Sequence, residues 1–139
     1  MSRRSLLIAA AVTVAGCGKH HRPRPKPPAT VPDATALAAA RDLERMLIAS
    51  YDAKIATAGP KRSAQLEVAK AIHGTHLAAL HGAPAGSADT AVATNLHKAL
   101  RQSVRTLRQL ATAASSGMNA ALFASIAASH EVSAEANGT

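Results

Sequence analysis

The sequence predicts an all-α protein built as an up-down-up-down four-helix bundle, and three observations support this prediction. Alanine makes up about a quarter of the 139 residues, a composition that strongly favours helix. Runs of β-branched residues and strictly alternating apolar patterns are missing. Apolar residues instead recur with a period near 3.6 in four segments, which Gly, Pro and Ser residues separate.

The first helix is predicted over residues 33–58, with Asp33 as its N-cap after Pro32 and with Gly59-Pro60 ending it. The other helices are predicted over residues 61–81, 89–115 and 118–136. A loop at 82–88 and a break near Ser116-Gly117 separate these three. Because short connections place successive helices side by side and antiparallel, the predicted order is up-down-up-down.

One apolar stripe on each predicted helix defines the expected core. The stripes contain Leu37, Ala40, Leu47, Ile48, Tyr51 and Ile55 on the first helix, Leu66, Ala69, Leu77 and Leu80 on the second, Val92, Leu96, Leu107 and Leu110 on the third, and Leu122, Phe123 and Ile126 on the fourth.

The N-terminal segment has the parts of an export signal. Arg3 and Arg4 precede a short apolar run, which falls well below the roughly 20 residues that a membrane-spanning helix needs. The small residues Val14, Ala15 and Gly16 then precede Cys17, the single cysteine. The segment resembles a bacterial lipoprotein signal, which implies removal of residues 1–16, acylation of Cys17 with fatty acids such as palmitate, and anchoring on the extracytoplasmic face of the cell membrane. The Arg3-Arg4 pair also resembles a twin-arginine export motif, so the general secretory and twin-arginine routes both stay open.

Residues 17–32 form the acylated cysteine and a basic, proline-rich linker, and residues 33–136 form the helical domain. An extended linker of this kind holds a domain up to ~45 Å from the membrane, and its cations can contact anionic headgroups.

The chain carries a formal net charge of +8, but most of the excess positive charge lies before the domain. Because the chain has one Tyr, one Phe and no Trp, it lacks aromatic side chains for stacking bases, and no nucleic-acid partner is expected.

Four polar residues interrupt the apolar stripes. By helical phase Glu44 falls within the first stripe and His73 within the second, while His76 lies at the edge of the second and His130 near the fourth. A carboxylate and imidazoles that project inward from neighbouring helices are the usual ligands of metal sites in helical bundles. The favoured interpretation is a structural Glu44–His73 hydrogen-bonded pair, since a buried Glu needs a partner. The alternative is a site that uses all four residues to hold one iron or zinc ion.

Three stretches of the sequence resemble the uncharacterised ferritin-like domain of secreted proteins and lipoproteins from high-GC Gram-positive bacteria. They are LERMLIASYD (43–52), HGTHLAAL (73–80) and LFASIAASH (122–130). The resemblance extends over residues 33–136, implies a ferritin-like four-helix bundle, and makes Glu44, His73 and His76 members of an inward-facing polar cluster. The chain departs from a di-iron pattern, because Ser103 and Ser133 stand where carboxylate or histidine ligands are expected.

The third predicted helix carries a basic ridge of Arg101, Arg105 and Arg108, spaced i, i+4, i+7. Such ridges are usually solvated faces, and the alternative is contact with anionic headgroups or an acidic cell-wall polymer.

The sequence contains no nucleophile elbow, phosphate-binding loop or paired-carboxylate motif, so no catalytic residue and no enzymatic activity are expected. We therefore expect a lipid-anchored bundle with a binding or structural role at the cell envelope. The alternative is a ferritin-like metal-binding or redox protein, and pairing with a second copy stays open.

Overall fold

A computed structural model describes residues 32–80 and 91–138 of the chain. These residues form four helices, namely α1 (Asp33–Ile55), α2 (Pro60–Ala79), α3 (Leu96–Ala113) and α4 (Gly117–Ala136), and they contain no β-strand. The all-α prediction is therefore confirmed for this part of the chain. The predicted signal, Cys17 and the linker up to residue 31 lie outside the described residues. None of the four helices is both long enough and apolar enough to cross a membrane.

The helix starts follow local capping signals with one exception. Pro60 occupies the first turn of α2, where its missing N–H costs nothing. The Ser116 hydroxyl at the start of α4 accepts a hydrogen bond from the backbone N–H of Asn119. The prediction of Asp33 as an N-cap is wrong, because Asp33 is the first helical residue of α1. Its carboxylate instead accepts hydrogen bonds from the backbone N–H and the hydroxyl of Ser115, at 3.0 and 2.9 Å.

α3 begins at Leu96 rather than at residue 89, so the predicted start is wrong. Asn95 is its N-cap and accepts a hydrogen bond from the backbone N–H of Lys98 at 2.9 Å. The residues just before it bond to α1, since the backbone N–H of Ala93 donates to the Ser50 hydroxyl at 2.9 Å. Val92 therefore lies outside the helix and is 52% exposed, instead of belonging to the apolar stripe of α3.

The helices do not follow the predicted up-down-up-down order. Asp33 at the start of α1 bonds to Ser115 in the α3–α4 connection, which places both at one end of the molecule, here called the lower end. At the opposite, upper end, Arg62 near the start of α2 donates to Asn137 just after α4, at 3.0 Å. The segment before α3 also lies at the upper end, through the contact with Ser50 of α1. Consequently α1 and α4 run in one direction, and α2 and α3 run in the other.

The late start of α3 explains why the predicted order is wrong. It makes the connection between α2 and α3 extend over residues 80–95, where a short loop was expected. At about 3.3 Å per extended residue, such a connection exceeds the roughly 30 Å length of a 20-residue helix. The chain can therefore leave α2 at the lower end and enter α3 at the upper end.

Two apolar clusters fill the interior, one near each end. The lower cluster consists of Ala36, Ala40, Leu80, Leu107, Phe123, Ile126 and Ala127. The upper cluster consists of Leu47, Tyr51, Leu66, Leu96, Leu100 and Ala134. On each helix, one fully buried polar residue stands in sequence between the members of the two clusters. These residues are Glu44, His73, Ser103 and His130. The interior thus contains a polar layer between two apolar ones.

Candidate metal centre

The polar layer is built around the Glu44 carboxylate, which α1 places in the interior. Glu44 and His73 are both fully buried, and the His73 Nδ1–H donates to Glu44 Oε2 at 2.8 Å. The prediction that these two residues meet inside the protein is therefore confirmed. The contact fixes the His73 tautomer, because an ionised carboxylate only accepts hydrogen bonds. The other nitrogen of a neutral His73, Nε2, then carries a lone pair.

The fourth helix adds His130, which is also fully buried. Its Nδ1 lies 2.8 Å from the Ser103 hydroxyl, and that hydroxyl donates its one proton to the Leu100 carbonyl at 2.7 Å. Since Ser103 has no second proton to give, His130 Nδ1–H is the donor in this contact. The Nε2 of a neutral His130 therefore carries a lone pair, and it faces Glu44 Oε1 at 2.8 Å.

His76 completes the cluster from the edge of α2. Its Nδ1 lies 3.4 Å from Glu44 Oε1, and its side chain retains 15% exposure. The His76 ring is 5.4 Å from the His130 ring and 5.8 Å from the His73 ring, measured between centroids. Four residues on three helices therefore offer one ligand atom each, and these atoms all lie within 4.8 Å of one another.

Each of the four residues has one buried polar atom without a hydrogen-bond partner. These atoms are Glu44 Oε1, His73 Nε2, His76 Nδ1 and His130 Nε2. The 2.8 Å approach of His130 Nε2 to Glu44 Oε1 thus lacks the alignment of a hydrogen bond. A buried polar atom left unpaired costs about 1–3 kcal/mol. The same four residues each place one potential ligand atom within 4.8 Å of the others, so this cluster of unpaired polar groups indicates a cation site.

The charge states of the cluster also suit a cation. Burial alone would raise the pKa of Glu44, but its contacts with the imidazoles, including the hydrogen bond from His73 Nδ1–H, outweigh burial and hold this pKa well below its ordinary value. Glu44 is therefore an anion at neutral pH. Burial lowers the pKa of His130, with Glu44 opposing the shift, so the neutral imidazole is favoured. A neutral imidazole and an ionised carboxylate are the protonation states in which these groups bind metals.

A scan against protein-family models gives no match for this chain, and searches of curated proteins and of solved structures give no significant match either.

Two further glutamates and the basic ridge of α3 lie apart from the cluster. Glu67 pairs with Lys70 at 2.7 Å, and Glu131 pairs with Arg108 at 2.7 Å, both on the exposed side of their helices. Arg101, Arg105 and Arg108 are exposed on α3 as expected of a solvated ridge, and Arg105 donates to Gln102. Neither glutamate can supply a second carboxylate to the site.

Sequence reasoning missed the surroundings of His73. Tyr51 was assigned only to an apolar stripe, yet its ring packs against the His73 ring with 5.1 Å between centroids. Its hydroxyl accepts a hydrogen bond from the Asn137 side-chain amide at 3.3 Å. Burial raises the pKa of Tyr51, which keeps the phenol neutral. The sequence did contain a signal for this contact, because Tyr51 lies on the same stripe as Glu44, two turns after it.

Proposed function

We propose that this protein binds one divalent transition-metal ion through Glu44, His73, His76 and His130. The observation that carries the proposal is the facing pair of lone pairs on His130 Nε2 and Glu44 Oε1, 2.8 Å apart and not aligned as a hydrogen bond. Two lone pairs at this distance repel each other unless a cation lies between or beside them. Burial opposes a proton on His130, so a metal ion is the cation that best relieves the repulsion.

The ligand set determines the kind of metal. Three imidazole nitrogens and one carboxylate oxygen suit zinc and iron, the two metals of the alternative interpretation of the sequence, and also copper. Glu44 would ligate through a carboxylate oxygen and His73 through Nδ1, the nitrogen that lies 2.8 Å from Glu44 Oε2. Ser103 would orient His130, and a second contact of this kind raises the basicity of a ligand and fixes its direction. A bound metal of this class supplies Lewis acidity, and iron or copper supplies one-electron redox chemistry as well.

A di-iron carboxylate centre does not fit these residues. Such a centre takes a Glu from each of two helices and a Glu-x-x-His pair from each of the other two. Among the described residues the cluster contains one carboxylate, and the Ser103 hydroxyl is already engaged with His130. The proposal is therefore a mononuclear site.

The fold proposal that accompanies this function is a ferritin-like four-helix bundle. Support comes from the order of the helices, because one long crossover between the second and third helices distinguishes ferritin-like bundles from up-down-up-down ones. Support also comes from the position of Glu44, His73 and His130 midway along their helices, where bundle-core metal sites are built.

Metal binding can be tested by thermal denaturation of the purified full-length chain. At a free Zn²⁺ concentration one hundred times Kd, linkage predicts about 2.7 kcal/mol of stabilisation, which raises Tm on the order of 10 °C for a domain of this size. His130→Ala should abolish the rise. His97→Ala is the matched control, because His97 bonds to the Ala134 carbonyl away from the cluster.

Equilibrium dialysis should give one metal ion per chain for wild type and for His97→Ala, and none for His130→Ala. If neither Zn²⁺ nor Fe²⁺ changes Tm in the wild-type protein, the four residues form a purely structural hydrogen-bonded cluster and the proposed function is wrong.

We further propose that the domain is attached to the extracytoplasmic face of the cell membrane through acylated Cys17. The support is the order of Arg3-Arg4, a short apolar run, and Val14-Ala15-Gly16 directly before the cysteine. Cys17→Ser should move the protein from the membrane fraction to the soluble fraction, or leave an unprocessed precursor, because two acyl chains are needed for stable anchoring. Mass spectrometry should find lipid on Cys17, and an unmodified cysteine in membrane-bound protein would contradict the proposal.

A further inference from the structure

The upper end of the molecule contains an open pocket of about 610 Å³, separate from the metal centre. It lies where the end of α1, the start of α2, the start of α3 and the end of α4 come together. A volume of this size falls within the range of natural small-molecule sites.

The pocket has positively charged side chains in its lining, and no negatively charged side chain in the described lining neutralises them. Lys54 and Arg62 line it, and no aspartate or glutamate is among the described residues that do so. Arg62 is held by two neutral amides, donating to Gln65 Oε1 at 3.3 Å and to Asn137 Oδ1 at 3.0 Å. These contacts position the guanidinium but leave its charge unneutralised, and its remaining N–H groups are available to a ligand.

The apolar part of the lining indicates what kind of anion the pocket suits. Leu66 and Leu96 contribute apolar surface to the same pocket. This combination suits a ligand that has carbon atoms as well as negative charge. We propose that the pocket binds a small organic anion that carries carboxylate or phosphate groups.

The pocket and the start of the helical domain lie at opposite ends of the molecule. The linker enters α1 at Asp33, at the lower end, and α1 has 23 residues, which corresponds to about 35 Å. The pocket therefore lies at the end of the domain farthest from the residue that follows the linker.

Isothermal titration calorimetry of the full-length chain in detergent, with citrate and with inorganic phosphate as probes, tests the proposal. Citrate should bind with one-to-one stoichiometry and more tightly than phosphate. Lys54→Gln and Arg62→Gln should each weaken citrate binding at least tenfold. Lys54 has no side-chain partner among the described residues, so its substitution changes charge without disturbing a tertiary contact. Arg101→Gln removes an exposed charge from α3 and should leave the affinity unchanged.

The single tyrosine provides a second measurement. Tyr51 accepts a hydrogen bond from Asn137, which lines the pocket, and the chain has no tryptophan. Citrate should therefore change the tyrosine emission in wild type and not in Lys54→Gln.

Equal losses of affinity in Arg101→Gln and Lys54→Gln would show attraction by net charge alone and would overturn the proposal, as would absence of citrate binding. Binding to vesicles of anionic phospholipid that depends on Lys54 and Arg62 would identify a headgroup and contradict a dissolved ligand. The titrations are carried out on metal-free protein, because citrate itself chelates Zn²⁺ and iron; none of these results then depends on whether the Glu44 cluster can hold a metal.

Discussion

Glu44→Ala is expected to lower the free energy of unfolding by about 3–5 kcal/mol and to abolish metal binding. Glu44 is fully buried and is the one acceptor for His73 Nδ1–H. Its removal leaves that donor unpaired in the interior and opens a cavity among three imidazoles. Urea denaturation in the presence of a chelator measures the loss of stability apart from any contribution of metal.

Two further variants separate the role of the charge from that of the contact. Glu44→Gln keeps an oxygen that can accept from His73, so the metal-free protein should lose less stability than Glu44→Ala while metal affinity still falls. Glu67→Ala is the matched control, because Glu67 lies on the exposed side of α2 and pairs with Lys70. A loss in Glu67→Ala as large as that in Glu44→Ala would contradict the importance of the buried cluster.

Acidification is expected to destabilise the metal-free protein over two pH ranges. Because burial lowers the pKa of His130 below the ordinary value of 6.5, the unfolded chain takes up this proton first, and stability falls as the pH drops below about 6.5. The pKa of Glu44 is also held below its ordinary value of 4.5. The stability that Glu44 contributes is therefore present above about pH 4.5 and is lost as the pH falls further.

Urea midpoints measured from pH 8 to pH 3 with a chelator present should show both declines, and His130→Gln should remove the first of them. Zinc should shift the first decline to lower pH, because bound metal excludes the proton from the imidazole. A flat profile between pH 7 and pH 5 in the wild-type protein would contradict the assigned state of His130.

Helical phase was sufficient to predict the centre of the site. Glu44 and His73 are out of place on apolar stripes, and a polar residue on such a stripe has to find a partner in the interior. The role of Ser103 could not be predicted in full. Ser103 was recognised as standing where a metal ligand of the third helix is expected, but the hydrogen bond that orients His130 depends on how α3 and α4 pack together.

The order of the helices could not be read from the sequence because two positions offer equally good caps for α3. Asp89 and Asn95 are both residue types that favour helix N-termini, and Val92 extends the apolar period between them. The choice is made by a tertiary contact, the hydrogen bond from Ala93 to Ser50 of α1. That choice lengthens the connection and reverses the directions of α3 and α4 relative to the prediction.

The distribution of the ligands over the chain has a consequence for how the protein matures. Glu44, His73 and His76 belong to the α1–α2 hairpin, whereas His130 belongs to the α3–α4 hairpin. Each hairpin is a local structure that forms quickly, but bringing the two together requires closing the longer connection between them. Under the proposed function, capture of a metal by all four ligands would therefore be a late event, and its rate would report the docking of the two hairpins. A nascent chain that has not yet completed its last helix offers three of the four ligands.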